Sequence, residues 1–276
     1  MFKKLVSSVL TITAVTAMFT TNLYASNGDG DGSTAPPSMS YEEQLEEFLS
    51  NENFSDERKQ NAAEKIEAMI AIRDNANSIF TTYSTPYYAT KTLSVPLYTQ
   101  QNNYFCGPAT ARQILAYTHI NINAYTAPSQ TTIANAIGTT SANGTMWTSL
   151  ANYVNNNQQT NNYIETVISS NSSVGLSNLQ SHISNGLNLY NAPPILHVKL
   201  VVGGTSPWEY PTDGHYMNAT GIRMNGGTVQ FRVNDPYYDF PTRNGTHNEP
   251  NGMYWINSTA VYSATIAHPF YSHIIW

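Results

Sequence analysis

Residues 95–117 read VPLYTQQNNYFCGPATARQILAY, and this stretch contains the clearest structural signals in the chain. It starts with a short apolar run that is typical of an extended strand. Pro108 favours a first helical turn, because the first N–H groups of a helix have no acceptor within it. We therefore predict a strand, a turn and then a helix that begins at Cys106. Apolar residues at helical spacing support that helix: Ala109, Ile114, Leu115 and Tyr117.

Cys106 is the one cysteine in 276 residues, so the chain cannot form an internal disulfide. The number of cysteines alone leaves two alternatives open for the role of Cys106. The first is a small buried apolar side chain or an intermolecular bridge, and the second is a reactive thiol. Position favours the reactive thiol, because the unpaired N–H groups and the positive dipole end of a helix N-terminus stabilise a thiolate. Gly107 is expected to let a substrate approach the backbone closely.

After Pro194 the spacing of the apolar residues changes from a helical period to alternation. In residues 196–202 every second residue is apolar, and these apolar side chains would lie on one face of a strand. Residues 216–222 and 228–234 are predicted as two more strands, joined by a hairpin at Asn225-Gly226-Gly227. Further helices are predicted from Thr145 and from Ser177. Helices followed by an antiparallel sheet indicate the α+β class.

The charge and the N-terminus both narrow the class of protein. The net charge is −6 and only 11% of the residues are charged, which excludes a basic nucleic-acid binder. Lys3 and Lys4 precede an apolar run that ends at Phe19, and a small residue, Ala25, follows. This pattern predicts a bacterial secretory signal peptide over residues 1–25. Because the run is shorter than the ~20 apolar residues of a membrane span, we expect a secreted protein with no membrane span.

Composition divides the rest of the chain into three parts. Residues 26–39 are rich in Gly, Asp and Pro and are predicted as a flexible linker. Residues 40–80 hold most of the acidic residues and are predicted as a charged helical hairpin, with Ser40 and Glu43 as a capping box. This segment is either a pro-segment that covers a cleft or a solvated spacer. Residues 81–276, where acidic and basic residues balance, are predicted as a separate domain.

His215 is the strongest candidate for a general base beside the thiol. It follows Gly214 at the start of a predicted strand, and one hairpin later the chain reaches Asp235. Asp235 is either the partner of His215 or an ordinary turn residue at a strand end. Its surroundings are apolar and rich in tyrosine, where an ionised carboxylate needs a partner. The other six histidines are expected to be solvent-facing or satisfied by ordinary contacts: His119, His182, His197, His247, His268 and His273.

Four segments, taken in their order along the chain, resemble the C39-like branch of the papain-fold cysteine peptidases. They are VPLYTQ, CGPA, GHY and VNDP, and the similarity runs from Leu93 to Ser263. The resemblance implies that Cys106 is the nucleophile, His215 the base and later the acid, and Asp235 the residue that orients His215. It also implies that Gln100 and the Cys106 N–H are the oxyanion donors. A papain-like α+β catalytic domain over residues 81–276, without a metal or an organic cofactor, is expected.

The functional hypothesis is a secreted cysteine peptidase that hydrolyses a peptide or amide bond through a thioester. Its partner would be a peptide or protein substrate, with cell-wall peptide as one option, and no nucleic acid. Three alternatives remain open. They are a cell-wall amidase or endopeptidase, a transglutaminase-like acyltransferase that passes the acyl group to an amine, and a non-catalytic papain-fold binding module. The chain lacks the membrane spans and nucleotide-binding motif of the transporter-linked members, which argues against bacteriocin-leader cleavage.

Overall fold

The computed structural model describes residues 41–50, 52, 56–78, 90–120, 125–158, 163–170, 172–203, 206–237, 252–268 and 272–276. The predicted signal peptide and linker, residues 1–39, lie outside these ranges, as do residues 79–89 around the predicted domain boundary. Within the described ranges no helix combines the length and the apolar character that crossing a membrane requires.

Helices dominate the first part of the chain and strands the second. The helices in the described ranges are α1 (Tyr41–Ser50), α2 (Asp56–Ser78), α3 (Cys106–Thr118), α4 (Gln130–Ile137), α5 (Trp147–Asn157), α6 (Ser172–Asn188) and α7 (Ser258–Ile266). The strands are β1 (Lys91–Thr92), β2 (Glu165–Val167), β3 (Ile195–Leu200), β4 (Thr212–Asn225), β5 (Thr228–Asn234), β6 (Met253–Asn257) and β7 (His273–Ile275). They form one sheet in the order β2-β7-β3-β4-β5-β6, with β1 paired to β4. The α+β prediction is confirmed, including the helix that begins at Cys106.

The turn between β4 and β5 confirms the predicted hairpin. Gly226 and Gly227 have φ angles of 56° and 81°, and Asn225 pairs with Thr228 across the turn. Two successive positive φ angles define the two-residue turn that matches the twist of paired strands, and glycine adopts them without steric cost. The register that follows pairs Asn218 with Asn234. It brings the chain after β5 back towards the first residues of β4.

The sheet is covered on both faces, so β3 is more deeply buried than its alternation predicts. Leu196 and Val198 face the core shared with α6 and α7, as expected. Ile195, on the opposite face, belongs to a second core formed with α3, α4 and α5. β3 lies between β7 and β4, and this central position explains why both of its faces are buried. Val202, predicted to continue the buried face, lies beyond the strand and is exposed.

Buried polar contacts join α3 to the middle of β4. The Thr110 hydroxyl donates to the carbonyl of Tyr216 at 3.1 Å. The amide of Asn218 donates to the carbonyl of Thr110 at 3.1 Å and to Oε1 of Gln113 at 2.9 Å. Because a buried polar group that loses its partner costs roughly 1–3 kcal/mol, these bonds favour one relative position of helix and strand. That position brings the N-terminus of α3 beside His215.

Helix α2 is attached to the rest of the structure through Lys65, whose side chain is fully buried. Its ammonium donates to the carbonyl of Trp276 at 3.3 Å and lies 4.2 Å and 5.0 Å from the ring centroids of Tyr190 and Trp276. Burial lowers the pKa of Lys65 to about 7, while the two ring faces attract the ammonium and act in the other direction. The charged helical segment therefore inserts the amino group of one of its lysines against two aromatic rings. The choice between a pro-segment and a spacer stays a prediction.

Candidate active site

The thiol of Cys106 lies at the first residue of α3 and is half-buried. Phe105 occupies the N-cap position without a capping side-chain hydrogen bond. Burial, the largest effect, raises the pKa of the thiol, but the hydrogen bond and charge of His215 and backbone hydrogen bonds from Tyr216 and Gly107 outweigh it. The net result is a pKa below the usual 9.0. Cys106 is therefore placed to form a thiolate more readily than a free cysteine does.

His215 lies on β4, is 2% exposed, and connects the thiol to a carboxylate. Its Nε2 lies 3.0 Å from Oδ1 of Asp235, which leaves Nδ1 as the ring nitrogen for the bond to Cys106. Burial is the largest effect and lowers the pKa of His215, but the hydrogen bonds and charges of Asp235 and Cys106 raise it to about 9. At neutral pH the imidazole of His215 is thus protonated, with one N–H directed to Cys106 and the other to the carboxylate.

Asp235 is fully buried, and each of its two carboxylate oxygens has donors. Besides Nε2 of His215, the N–H of Tyr237 donates to Oδ1 at 2.9 Å. The hydroxyls of Tyr210 and Tyr254 donate to Oδ2 at 2.6 Å and 3.1 Å. The bond to Tyr237 is a local turn contact, so the two alternatives for Asp235, partner of His215 and turn residue, both describe it. No local motif distinguishes Tyr210 or Tyr254 among the 19 tyrosines, so the sequence alone does not point to them.

Gln100 is buried in the segment that leads to α3. Its backbone N–H donates to the carbonyl of Pro236 at 2.7 Å, which ties it to the turn directly after Asp235. One N–H of its side-chain amide donates to the carbonyl of Asn102 at 2.7 Å, and an amide carries a second. Within the described part of the chain, Oε1 of Gln100 is buried without a hydrogen-bond partner. Gln101, by contrast, is exposed and its N–H is bonded to Gln130.

The packing around Gly107 gives a reason for glycine at this position that the sequence alone did not show. A Cβ atom at this position would lie 2.5 Å from Oγ1 and 2.7 Å from Cβ and Cγ2 of Thr145. The loop before α5 thus fills the space that a side chain at residue 107 would need. Tyr216 is bonded to the same loop, because its hydroxyl donates to the carbonyl of Thr145 at 3.1 Å.

Three of the other histidines form a cluster beside the start of β4. The His197 ring stacks on Tyr216 with centroids 4.3 Å apart, and lies 4.2 Å from the ring of His268 and 5.2 Å from that of His273. Burial, the largest effect, lowers the pKa of His268 to about 4 and of His273 to about 3, and likewise lowers that of His197. These imidazoles are therefore neutral at pH 7, unlike His215.

The remaining histidines make contacts with other residues or lie outside the described residues. Nδ1 of His119 is 2.9 Å from the carbonyl of Leu115, one turn earlier in α3. His182 stacks on Trp276, and burial lowers its pKa to about 3. His247 lies outside the described ranges. Of the described histidines, His215 is thus the one that the structure brings to Cys106.

A thiol at a helix N-terminus, bonded to a buried imidazole that is bonded in turn to a carboxylate, is the arrangement found in cysteine peptidases. The sequence comparison agrees with that class. The chain belongs to the Peptidase_C39 like family, whose model matches residues 92–263. The protein is accordingly a cysteine peptidase, and its substrate contains a peptide bond.

The solved structures that match the chain include two at low sequence identity. One is digestive procathepsin L 3 from the larval midgut of Tenebrio molitor, at 9% identity and a TM-score of 0.43, covering 86% of this chain and 98% of that one. The other is a recombinant stem bromelain precursor, at 11% identity and a TM-score of 0.37, covering 86% of this chain and 96% of that one. No curated protein matches the chain.

Proposed function

We propose that the protein is an exported peptidase that hydrolyses a peptide or amide bond with Cys106 as nucleophile, His215 as acid and base, and Asp235 as the residue that orients His215. The observation that carries this proposal is the continuous hydrogen-bonded chain from thiol to imidazole to buried carboxylate. The opposite pKa shifts of Cys106 and His215 support it, because both favour the thiolate–imidazolium pair that attacks a carbonyl carbon.

The reaction would proceed in two acyl transfers. The Cys106 thiolate forms a bond to the carbonyl carbon, and the negative charge moves to the carbonyl oxygen. An N–H of Gln100 and the backbone N–H of Cys106 would stabilise that oxyanion. His215 then gives its proton to the departing amine, which leaves a thioester on Cys106. The neutral imidazole next takes a proton from water, the hydroxide attacks the thioester, and the free acid and the thiolate–imidazolium pair are restored.

The test is hydrolysis of a peptide mixture by the wild-type chain and by Cys106→Ala. The variant should be inactive and still folded, since only the sulfur is lost from a half-buried site. Activity of the variant at the wild-type level would show that Cys106 is not the nucleophile. Adding a primary amine in excess distinguishes hydrolysis from acyl transfer, because a transglutaminase-like enzyme would give amides in place of free acids. Isolated cell-wall peptide as the substrate tests the amidase alternative.

Export is a separate part of the proposal and is supported by the N-terminal sequence. The basic start, the apolar run and the small residue Ala25 favour removal of residues 1–25. In a bacterial host the protein recovered outside the cytoplasm should begin at Ser26. N-terminal sequencing or intact mass measures this, and a retained Met1 in the exported fraction would contradict it.

A further inference from the structure

The carboxylate of Asp235 depends on protein donors because it is fully buried. An ionised carboxylate removed from water is costly unless it accepts several hydrogen bonds, and without them it takes up a proton. His215 and the N–H of Tyr237 supply bonds to Oδ1. The hydroxyls of Tyr210 and Tyr254 supply bonds to Oδ2. The two tyrosine hydroxyls thus supply as many hydrogen bonds to Oδ2 as His215 and Tyr237 supply to Oδ1.

The two oxygens of Asp235 are used differently, and this gives the tyrosines a specific role. Oδ1 faces the imidazole, whereas the two hydroxyls both meet Oδ2. Rotation of the carboxylate about its Cβ–Cγ bond would take Oδ1 away from Nε2 of His215 and Oδ2 away from both hydroxyls. The hydroxyl bonds therefore oppose that rotation and keep Oδ1 on His215.

The tyrosines come from separate parts of the chain and converge on one oxygen of Asp235. Tyr210 lies just before β4, and Tyr254 lies on β6. Tyr210 also contacts its neighbours through its ring, which is edge-on to His215 at 5.9 Å and tilted against Tyr237 at 4.7 Å. Both tyrosines are at least nine-tenths buried. Tyr210 thus touches both the carboxylate and the imidazole that the carboxylate orients.

We propose that Tyr210 and Tyr254 are positioning residues of the Cys106–His215 pair, whose hydroxyls keep Asp235 ionised and hold its Oδ1 on His215. This inference rests on the proposed function, in which His215 is the acid and base. Charge-assisted hydrogen bonds strengthen as they shorten. The 2.6 Å bond from Tyr210 therefore contributes more than the 3.1 Å bond from Tyr254.

The experiment is alkylation of the full chain by iodoacetamide from about pH 5 to about pH 10, which measures thiolate formation without any peptide substrate. Cys106 is the one cysteine, so the rate reports this site alone. At pH 6 we expect Tyr254→Phe to lower the rate about threefold and Tyr210→Phe about tenfold, with a larger loss in the double variant. The pH at which the thiolate forms should rise in the same order.

Tyr163→Phe is the matched control. Tyr163 is as deeply buried, and its hydroxyl donates to the carbonyl of Pro193 at 3.1 Å, away from Asp235. This variant should keep the wild-type pH profile, even if its thermal stability falls as far as that of the other two. A role in stability alone would lower the melting temperatures of all three variants and leave their alkylation profiles unchanged.

Different outcomes separate this inference from the function on which it rests. If the wild-type thiolate forms at low pH but neither variant at Tyr210 or Tyr254 changes its profile, the positioning role is overturned and the nucleophile stands. If the wild-type thiol titrates at the ordinary 9.0, both proposals fail. If a variant does not fold, titration of the His215 ring by NMR in the other single variant decides, and a ring pKa equal to that of wild type overturns the role.

Discussion

Replacing Asp235 with Asn removes one charge from the candidate site while keeping the shape of the side chain. An amide has one acceptor oxygen, so Asn can accept from His215 only if its NH2 group faces Tyr210 and Tyr254. Hydroxyl oxygens accept hydrogen bonds as well as donate them, and the two tyrosines can therefore reverse their roles. We expect the fold to survive and the electrostatics of His215 to change.

The expected size of the effect comes from the pKa of His215. Burial lowers that pKa, and the hydrogen bonds and charges of Asp235 and Cys106 raise it to about 9 from the usual 6.5. Without the carboxylate charge the pKa should fall towards 6.5, since burial is then opposed by Cys106 alone. A difference of this size corresponds to about 3 kcal/mol, because one pKa unit is about 1.4 kcal/mol. At pH 7 the imidazole would be largely neutral and the thiol would lose its cationic partner.

The assay is the rate of iodoacetamide alkylation of Cys106 against pH, with peptide hydrolysis in parallel. Wild type should react well below pH 9, whereas Asp235→Asn should react about a hundredfold more slowly at pH 6 and approach wild type only near pH 9. Asp213→Asn is the matched control, because Asp213 lies two residues before His215 on β4 but is 95% exposed and paired with Lys199 at 3.0 Å. An unchanged profile in Asp235→Asn, or the same shift in both variants, would refute the reasoning.

Three further predictions concern other parts of the structure. Gln100→Ala should lower kcat ~10²–10³-fold with little change in KM, because an oxyanion donor acts mainly in the transition state. Steady-state kinetics that show a rise in KM alone would contradict this prediction. Gly107→Ala should destabilise the fold by about 1–3 kcal/mol in urea unfolding, since its Cβ would meet Thr145 at 2.5 Å, and adding Thr145→Gly should restore part of the loss. Between pH 7 and 10.5 the unfolded chain binds the Lys65 proton and the folded chain does not, so the free energy of unfolding of wild type should rise with pH. Lys65→Met should remove that rise. Equal slopes of the free energy of unfolding against pH in wild type and variant would count against this prediction.

Local signals in the sequence were sufficient for the elements that carry the thiol and the imidazole. Pro108 and the helical spacing that follows predict α3, and the glycines at 226 and 227 predict the hairpin. Four segments in their order along the chain, VPLYTQ, CGPA, GHY and VNDP, were enough to propose a family that the comparison then confirmed. These features depend on a few neighbouring residues, so the sequence contains them in readable form.

Short strands and two helices, α4 and α7, were not predicted from the sequence. β2 and β7 each have three residues and exist through pairing with other strands, β2 with β7 and β7 also with β3, which no local pattern predicts. Helix α4 did have a readable signal, because Ser129 caps its start and Gly138 ends it at a φ of 71°. Its surroundings, rich in Asn, Ser and Thr, obscured that signal.

Tertiary structure alone decided which polar groups are buried and which residues they contact. The charge pattern of α2 is typical of a solvated face, yet Lys65 lies against Tyr190 and Trp276, and Trp276 is 211 residues away. The hydroxyls on Asp235 likewise come from positions 25 residues before and 19 residues after it. Burial and hydrogen bonding depend on distances in space between residues that are far apart in the chain. The sequence by itself determined the reactive residue types and the helix and hairpin that carry them, whereas packing determined the environment that tunes their chemistry.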